Sequence, residues 1–218
     1  TSGFGILMAP HGGTDRRLSA NPIAIGIPIE KNDYLVLDMA TSVVAEGKIM
    51  VAKNKGSKLP EGMLLDGYGN PTNDPIKFYS EPVGSILPFG GHKGFGLAFM
   101  IDILSGALTG GNSSHPDNDN SHTIINNTLA IIMDTQQTVS NNYFQNDINR
   151  LTKWVKDSPK ADNVSEILLP GEIEKNTKKE RLIKGVPLDD QTIKDIKDTA
   201  ILVGIKDAND DFINTLLN

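Results

Sequence analysis

Hydrophobic residues recur along this chain first in short β-rich runs and then at helical spacing. Residues 22–29 (PIAIGIPI) and 34–38 (YLVLD) are apolar and β-rich, and the polar stretch 30–33 (EKND) between them completes a hairpin pattern. A helix is predicted next, capped by Thr41 or Ser42, with Glu46 near its first turn and Gly56 as the stop after about Lys55. Residues 59–75 interleave Gly, Pro, Asn and Asp too densely for either period and read as a connecting loop. Further on, Leu97, Met100, Ile101, Leu104 and Leu108 repeat at helical spacing while Phe99, Ile103 and Ala107 fill the other side. This predicts a helix buried on most of its circumference.

The polar stretch 110–127 reads as a loop, and 127–134 (NTLAIIMD) as the core of an apolar strand. Tyr143, Phe144, Ile148, Leu151, Trp154 and Val155 mark an amphipathic helix ending near Pro159. A strand at 164–169 is closed by Pro170-Gly171. The remainder, 172–218, is charged and helical in pattern, with Gly185-Val186-Pro187 as a break and Asp189 or Asp190 as a cap. These elements predict an α/β fold, a mixed β-sheet flanked by helices with a helical C-terminal segment. They divide into a core over 1–134 and a strand-and-helix part over 135–218 that packs on it.

Composition narrows the function classes. The 218 residues are 38% hydrophobic, enough for a sizeable core without disulfide or metal staples. Lys plus Arg number 21 against 27 Asp plus Glu, a net charge of −6 with the basic residues dispersed, so nucleic acid and anionic membrane are poor partners. The absence of Cys removes disulfides, thiolate nucleophiles and Cys-bound zinc, and cytoplasm is the default location. No apolar run approaches the roughly 20 residues that span a bilayer. Residues 1–8 (TSGFGILM) lack an initiator Met and the order of a signal peptide, so polypeptide is expected to precede Thr1.

The main candidate for chemistry is PFGGHKGFG at 88–96, in which four glycines surround His92-Lys93 directly before the apolar helix. Glycines let the backbone approach a ligand closely with free N–H groups. A lysine at a helix start opposes the macrodipole, and a bound anion removes the conflict, which makes Lys93 a phosphate contact. The other reading is a glycine-rich turn that serves packing alone. Neither GxxxxGK[ST] nor GxGxxG is present, so this is no P-loop or Rossmann fingerprint. Asp38, Thr41 and Ser42, at a strand end leading to a helix, are candidate polar contacts or caps. None of His11, His92, His115 and His122 has metal-ligand spacing on a helix, and the acidic segment 115–122 fails the EF-hand pattern at His122 and Thr128. No metal site is assigned. His11 reads as a loop histidine, Asp102 as a local polar contact, and no Ser-His-Asp spacing or G-x-S-x-G elbow occurs. A phosphate-ester or sugar-phosphate enzyme would need a metal or carboxylate pair beside Lys93, and only Asp102 is on offer.

In order along the chain, APHGGTDRRLSANPIAIGIP, LDMATSVVAEGK, LPEGMLLDGYGNPTNDP, PFGGHKGFGLAFMIDILSGALTGG and LLPGEIE resemble the malate/L-lactate dehydrogenase family. This is the non-Rossmann group that includes ureidoglycolate and sulfolactate dehydrogenases and diketogulonate reductase. The resemblance runs from residue 8 to about 188. It implies a homodimer that moves a hydride between NAD or NADP and a small 2-oxo or 2-hydroxy acid such as malate or lactate. It further implies dinucleotide contacts at Tyr34, Leu35, Val36, Leu37, Asp38, Met39 and Ala40, at His92 and Lys93, and at Gly171, Glu172 and Ile173. The family's proton-transfer histidine and carboxylate-binding arginine lie in an upstream helical segment that nothing here matches. The expectation is therefore a fragment with no catalytic residue of its own, inactive alone. Ala20 in LSANP stands where relatives often have Thr, a candidate substrate contact. The competing class is a non-catalytic nucleotide-binding or dimerisation module.

Overall fold

The computed structural model describes residues 1–3, 5–29, 33–118 and 125–205. Residues 30–32 of the expected hairpin turn, and Asp119, Ser121 and His122 of the acidic segment, lie outside the described residues. Within them the chain is mixed α/β. β1 (Ser2–Gly3) pairs with β7 (Asn126–Asn127), β2 (Ile23–Ile29) with β3 (Asp33–Met39), and β4 (Leu64–Leu65) lies between β5 (Pro71–Thr72) and β6 (Ser85–Ile86). These ladders are antiparallel, and a single parallel bridge joins Met8 to Ile86. The β2–β3 hairpin runs in full register from Ile23 opposite Met39 to Ile29 opposite Asp33.

Two small buried clusters anchor the fold. Val44, Ile49, Leu64, Phe78 and Ile86 bring α1 (Glu46–Asn54), α2 (Pro75–Tyr79), β4 and β6 together. Met8, Leu18 and Ala98 join the N-terminal segment to α3 (His92–Ile101). Arg16 ties the first cluster to its loop, donating to the carbonyls of Gly84 and Phe78 at 2.6 and 3.1 Å while its guanidinium lies 4.5 Å over the Phe78 ring.

Several expectations need correction. Neither Thr41 nor Ser42 caps α1, which begins at Glu46 after Ala45 with no side-chain cap. The Thr41 hydroxyl donates instead to the Ala20 carbonyl and the Ser42 hydroxyl to the Val44 carbonyl, so tertiary and local acceptors take the groups a cap would use. Gly56 does end the helix, at φ +61°. The helix expected from residue 97 starts at His92 and widens into a π-helical segment, Asp102–Ala107. Phe99 is 50% exposed, and Met100, Ile103, Leu104 and Leu108 are also exposed, so its circumference is not mostly covered by described residues.

The strands expected at 127–134 and 164–169 do not form beyond β7. A strand needs a neighbour for its backbone hydrogen bonds, and no described segment pairs with either stretch, leaving Ile132 95% exposed. The loop expected over 59–75 contains the two-residue strands β4 and β5. The helical expectations hold between residues 141 and 202, while residues 206–218 of the expected helical tail lie outside the described residues. α4 (Asn141–Lys156) is capped by Ser140, α5 (Glu172–Lys184) ends at Gly185, and α6 (Asp190–Leu202) is capped by Asp189, whose carboxylate accepts from the Thr192 amide at 2.9 Å.

Candidate functional site

Three stretches that are far apart in sequence meet along β3 and its exit. Beyond Met39 the chain passes between two backbone partners. The Thr41 amide and hydroxyl both donate to the Ala20 carbonyl at 2.9 Å, and the Thr41 carbonyl accepts from the Phe89 amide at 3.0 Å. Ser42 bridges to Pro88, and the Val43 amide donates to the Leu87 carbonyl at 2.9 Å. The strand exit is thereby stitched to the glycine turn that opens α3. Thr41 and Ser42 are buried and committed to these contacts, so they are not the free polar groups the sequence proposed. Asp38 is exposed on β3.

The turn itself is shaped by its glycines. Gly90 and Gly91 both adopt positive φ, +56° and +62°, which glycine tolerates without strain. At Gly94 a side chain has no room, because an added Cβ would stand 2.4 Å from the Phe89 carbonyl oxygen and 2.7 Å from the Thr41 carbonyl oxygen. Of the N–H groups expected to face a ligand, those of Gly91, Lys93, Gly94 and Phe95 bond within the turn. The Gly90 and His92 amides donate to no partner among the described residues. α3 has no side-chain cap and no acidic residue in its first turn, while Lys93 and His92 are exposed at its positive end. This arrangement suits an anion in a way that a turn serving packing alone does not require.

His11, read from sequence as a loop histidine, and Asn21, which sequence reasoning passed over, both lie beside the start of α3. The His11 ring stands edge-on to the His92 ring with centroids 5.9 Å apart, and a Cβ on Gly91 would lie 3.3 Å from it. Asn21 is fully buried and donates from Nδ2 to the Ala98 carbonyl at 2.9 Å, fixing the approach to β2 against α3. The signals were the APHGG turn and the LSANP motif, but contacts at this sequence separation follow only from the fold. Asp102 is a local polar contact: its buried carboxylate accepts from the Ser114 amide and hydroxyl, each at 2.9 Å.

The third stretch meets the middle and start of β3. The Val36 amide donates to the Pro170 carbonyl at 3.3 Å, and Gly171, at φ +91°, packs so closely that a Cβ would lie 3.1 Å from the Val36 carbonyl oxygen. Glu172 folds back at the start of α5, accepting from the Leu169 amide at 2.7 Å and pairing with Lys156 at 2.8 Å. Desolvation pushes its carboxyl up, but the Lys156 and Leu169 hydrogen bonds with the neighbouring lysine charges outweigh that and hold it below the ordinary glutamate value. The structure thus gathers Tyr34 to Ala40 with Gly171 and Glu172 along one strand and sets His92 and Lys93 beside the exit. A groove of about 500 Å³ along α5 includes Ile173 but no residue of the glycine turn or β3. Among the described residues no group of three or more His, Asp or Glu could hold a metal, and no helix is long and apolar enough to cross a membrane.

The fold is a mixed α/β scaffold like those of malate/lactate dehydrogenases, and residues 3–197 match the family model for malate/L-lactate dehydrogenase. The chain belongs to that family. It is 40% identical over 205 residues to hydroxycarboxylate dehydrogenase B of Escherichia coli K12, covering 91% of this chain and 55% of that protein. It is 38% identical over 197 residues to a malate/(S)-sulfolactate dehydrogenase of Methanothermus fervidus, covering 88% of this chain and 55% of the relative. Among solved structures, a malate/lactate dehydrogenase described as putative, from E. coli, superposes with a TM-score of 0.84 at 34% identity, over 100% of this chain and 61% of that one. Malate dehydrogenase from Pyrococcus horikoshii gives 0.72 at 30% identity, over 93% and 56%. The chain spans about half the length of the curated relatives it matches.

Proposed function

We propose that this chain forms the dinucleotide-binding part of a nicotinamide-dependent dehydrogenase acting on a small 2-hydroxy acid or its 2-oxo partner, of the malate, lactate or sulfolactate type. The observation that carries the reading is the junction of the β3 exit with the uncapped, lysine-bearing start of α3 through Thr41 and Phe89. The contact set is Tyr34, Leu35, Val36, Leu37, Asp38, Met39, Ala40, His92, Lys93, Gly171, Glu172 and Ile173. Lys93 and the free His92 amide hold phosphate oxygens, as charge and helix dipole favour at this end. With the Glu172 carboxylate and amide engaged at Lys156 and Leu169, and the Gly171 carbonyl taken by the Lys175 amide, the Gly171 amide is the group of this turn left to meet the cofactor. The dinucleotide, NAD or NADP, supplies or takes up the hydride when bound. The proton exchanged with the substrate hydroxyl is assigned to a histidine outside these 218 residues, and the working assembly to a cytoplasmic homodimer.

NADH fluorescence titration of the complete native protein and its Lys93→Ala variant tests the reading. The native protein should bind and oxidise or reduce at least one of malate, lactate and sulfolactate with their oxo acids. Lys93→Ala should weaken binding by roughly tenfold or more, the scale of a lost charge-assisted contact. A cooperatively folded native protein that binds neither NADH nor NADPH overturns it.

A further inference from the structure

The stretch 128–134 (TLAIIMD) has strand composition but no strand partner among the described residues. Leu129 to Met133 is the kind of apolar run that a strand buries on both faces, yet Ile131, Ile132 and Met133 are 76%, 95% and 81% exposed. Such a run leaves backbone amides and carbonyls in water together with its side chains, and pairing with another strand resolves both. The ladder at its start indicates which strand. β1 and β7 are antiparallel, with Gly3 opposite Asn126 and Ser2 opposite Asn127, so chain going forward from Asn127 runs beside chain going backward from Ser2. In that register Thr1 faces Thr128, the first residue before Thr1 faces Leu129, and the fourth faces Ile132. We propose that, in the complete native protein, the residues directly before Thr1 continue β1 as the partner strand of 128–134. This goes beyond the dinucleotide reading and does not depend on it.

The short ladder that this strand would extend is firmly held. The Thr1 nitrogen donates to the Pro22 carbonyl at 2.8 Å, and the Gly3 carbonyl accepts from the Ser114 hydroxyl at 3.3 Å. Ser2 is buried against the π-helical segment, where a Cβ on Gly106 would lie 3.2 Å from the Ser2 hydroxyl oxygen. β1 already occupies this edge at Asn126 and Asn127, so a strand continuous with it adds to an existing ladder, whereas the strand of a second copy has to start a new one. Length for such a segment exists in the family, since this chain covers only 55% of hydroxycarboxylate dehydrogenase B. The apolar side chains of 128–134 then lose their exposure, and the preceding part of the protein is fixed to this core by main-chain hydrogen bonds in one register.

Hydrogen exchange and cysteine pairing in the complete native protein test the proposal. Alternate amides of 128–134 should exchange at least about a hundredfold more slowly than in an unstructured peptide. The 218 residues contain no Cys, so Ile132→Cys is combined with a cysteine at the fourth residue before Thr1, its partner in the extended register. Facing residues of antiparallel strands have Cα atoms about 4.5–5.5 Å apart, within disulfide reach. Under mild oxidation this pair should form a disulfide within one molecule, identified by peptide mapping. Its yield should be roughly ten times that of Ile132→Cys with a cysteine at the third residue before Thr1, which the pleat turns to the opposite face. Each variant is checked for cooperative melting; if the first fails, Ala130→Cys with the second residue before Thr1 tests the same register, and the exchange measurement needs no substitution. Protected amides with the disulfide in the expected register bear the proposal out. Unprotected amides, preference for the shifted pair, a disulfide formed only between two molecules, or a native protein that begins at Thr1 each overturn it.

Discussion

Gly94 and Gly96 are two residues apart in α3 and equally good targets for alanine by helix propensity, yet the structure separates them sharply. Alanine in a helix interior gains about 1 kcal/mol over glycine. At Gly96 nothing lies within 4 Å of an added Cβ, so Gly96→Ala should collect that gain and stabilise the protein by about 0.5–1 kcal/mol. At Gly94 the same Cβ would stand 2.4 and 2.7 Å from Phe89 backbone atoms and 2.7 Å from the Thr41 carbonyl oxygen. All three are backbone, so none can swing aside as a side-chain tip would, and the start of α3 must move. Overpacking of this kind costs about 1–3 kcal/mol, and three simultaneous backbone overlaps belong at the upper end. Subtracting the propensity gain leaves Gly94→Ala destabilised by about 2 kcal/mol, and the two variants apart by roughly 3. With a urea slope of about 2 kcal/mol/M, their unfolding midpoints should differ by about 1.5 M. NADH titration provides the functional arm, since the forced movement carries His92 and Lys93 away from the β3 exit: Gly94→Ala should bind several-fold more weakly, Gly96→Ala as the native protein does. Equal midpoints and equal affinities for the two variants would refute the claim that Gly94 is the contact setting the turn against the strand.

Three further outcomes follow from the same geometry. Gly171→Ala places a side chain at φ +91° and 3.1 Å from the Val36 carbonyl oxygen, and thermal or urea unfolding should show a loss of about 1–3 kcal/mol. Phe78→Ala empties the fully buried centre of the first cluster and removes the ring beneath Arg16, for about 3–5 kcal/mol in a urea titration. Because the folded Glu172 carboxyl lies below its ordinary value, its stabilising contribution is complete above the usual glutamate range and fades as pH falls through the folded value. Stability of the native protein measured from pH 6 down to about 3 should therefore drop more steeply than that of Glu172→Gln; parallel acid limbs would remove Glu172 from the account.

What could be read from sequence depended on how local its cause was. The β2–β3 hairpin, α4, and the Gly185 break and Asp189 cap in the tail follow from periodicity and end signals within a few residues, and they appear where expected. The segments at 127–134 and 164–169 carry strand composition without strand structure, because pairing partners are a property of the whole arrangement and none stands beside them among the described residues. Thr41 and Ser42 have the chemistry of caps, but the Ala20 and Val44 carbonyls claim their hydroxyls, and nothing in the local sequence announces that competition. His11 was equally opaque, since its placement against His92 requires the APHGG turn to be delivered to the start of α3.

The junctions of the candidate site explain why its glycines were more informative than its polar side chains. Ala20 to Thr41, Thr41 to Phe89 and Pro170 to Val36 are joined through main-chain carbonyls and amides, with the Thr41 hydroxyl as a second donor at the first of them. Such junctions place one constraint on sequence, namely that nothing project into the close approach, and this falls on Gly94 and Gly171. A polar residue near the site can then be buried and committed, as Thr41 is, or exposed and available, as Lys93 is, without any difference visible in composition. The glycine spacing of PFGGHKGFG therefore marks the candidate site, whereas the choice of ligand is left to the side chains that remain exposed around it, Lys93 at the helix start among them.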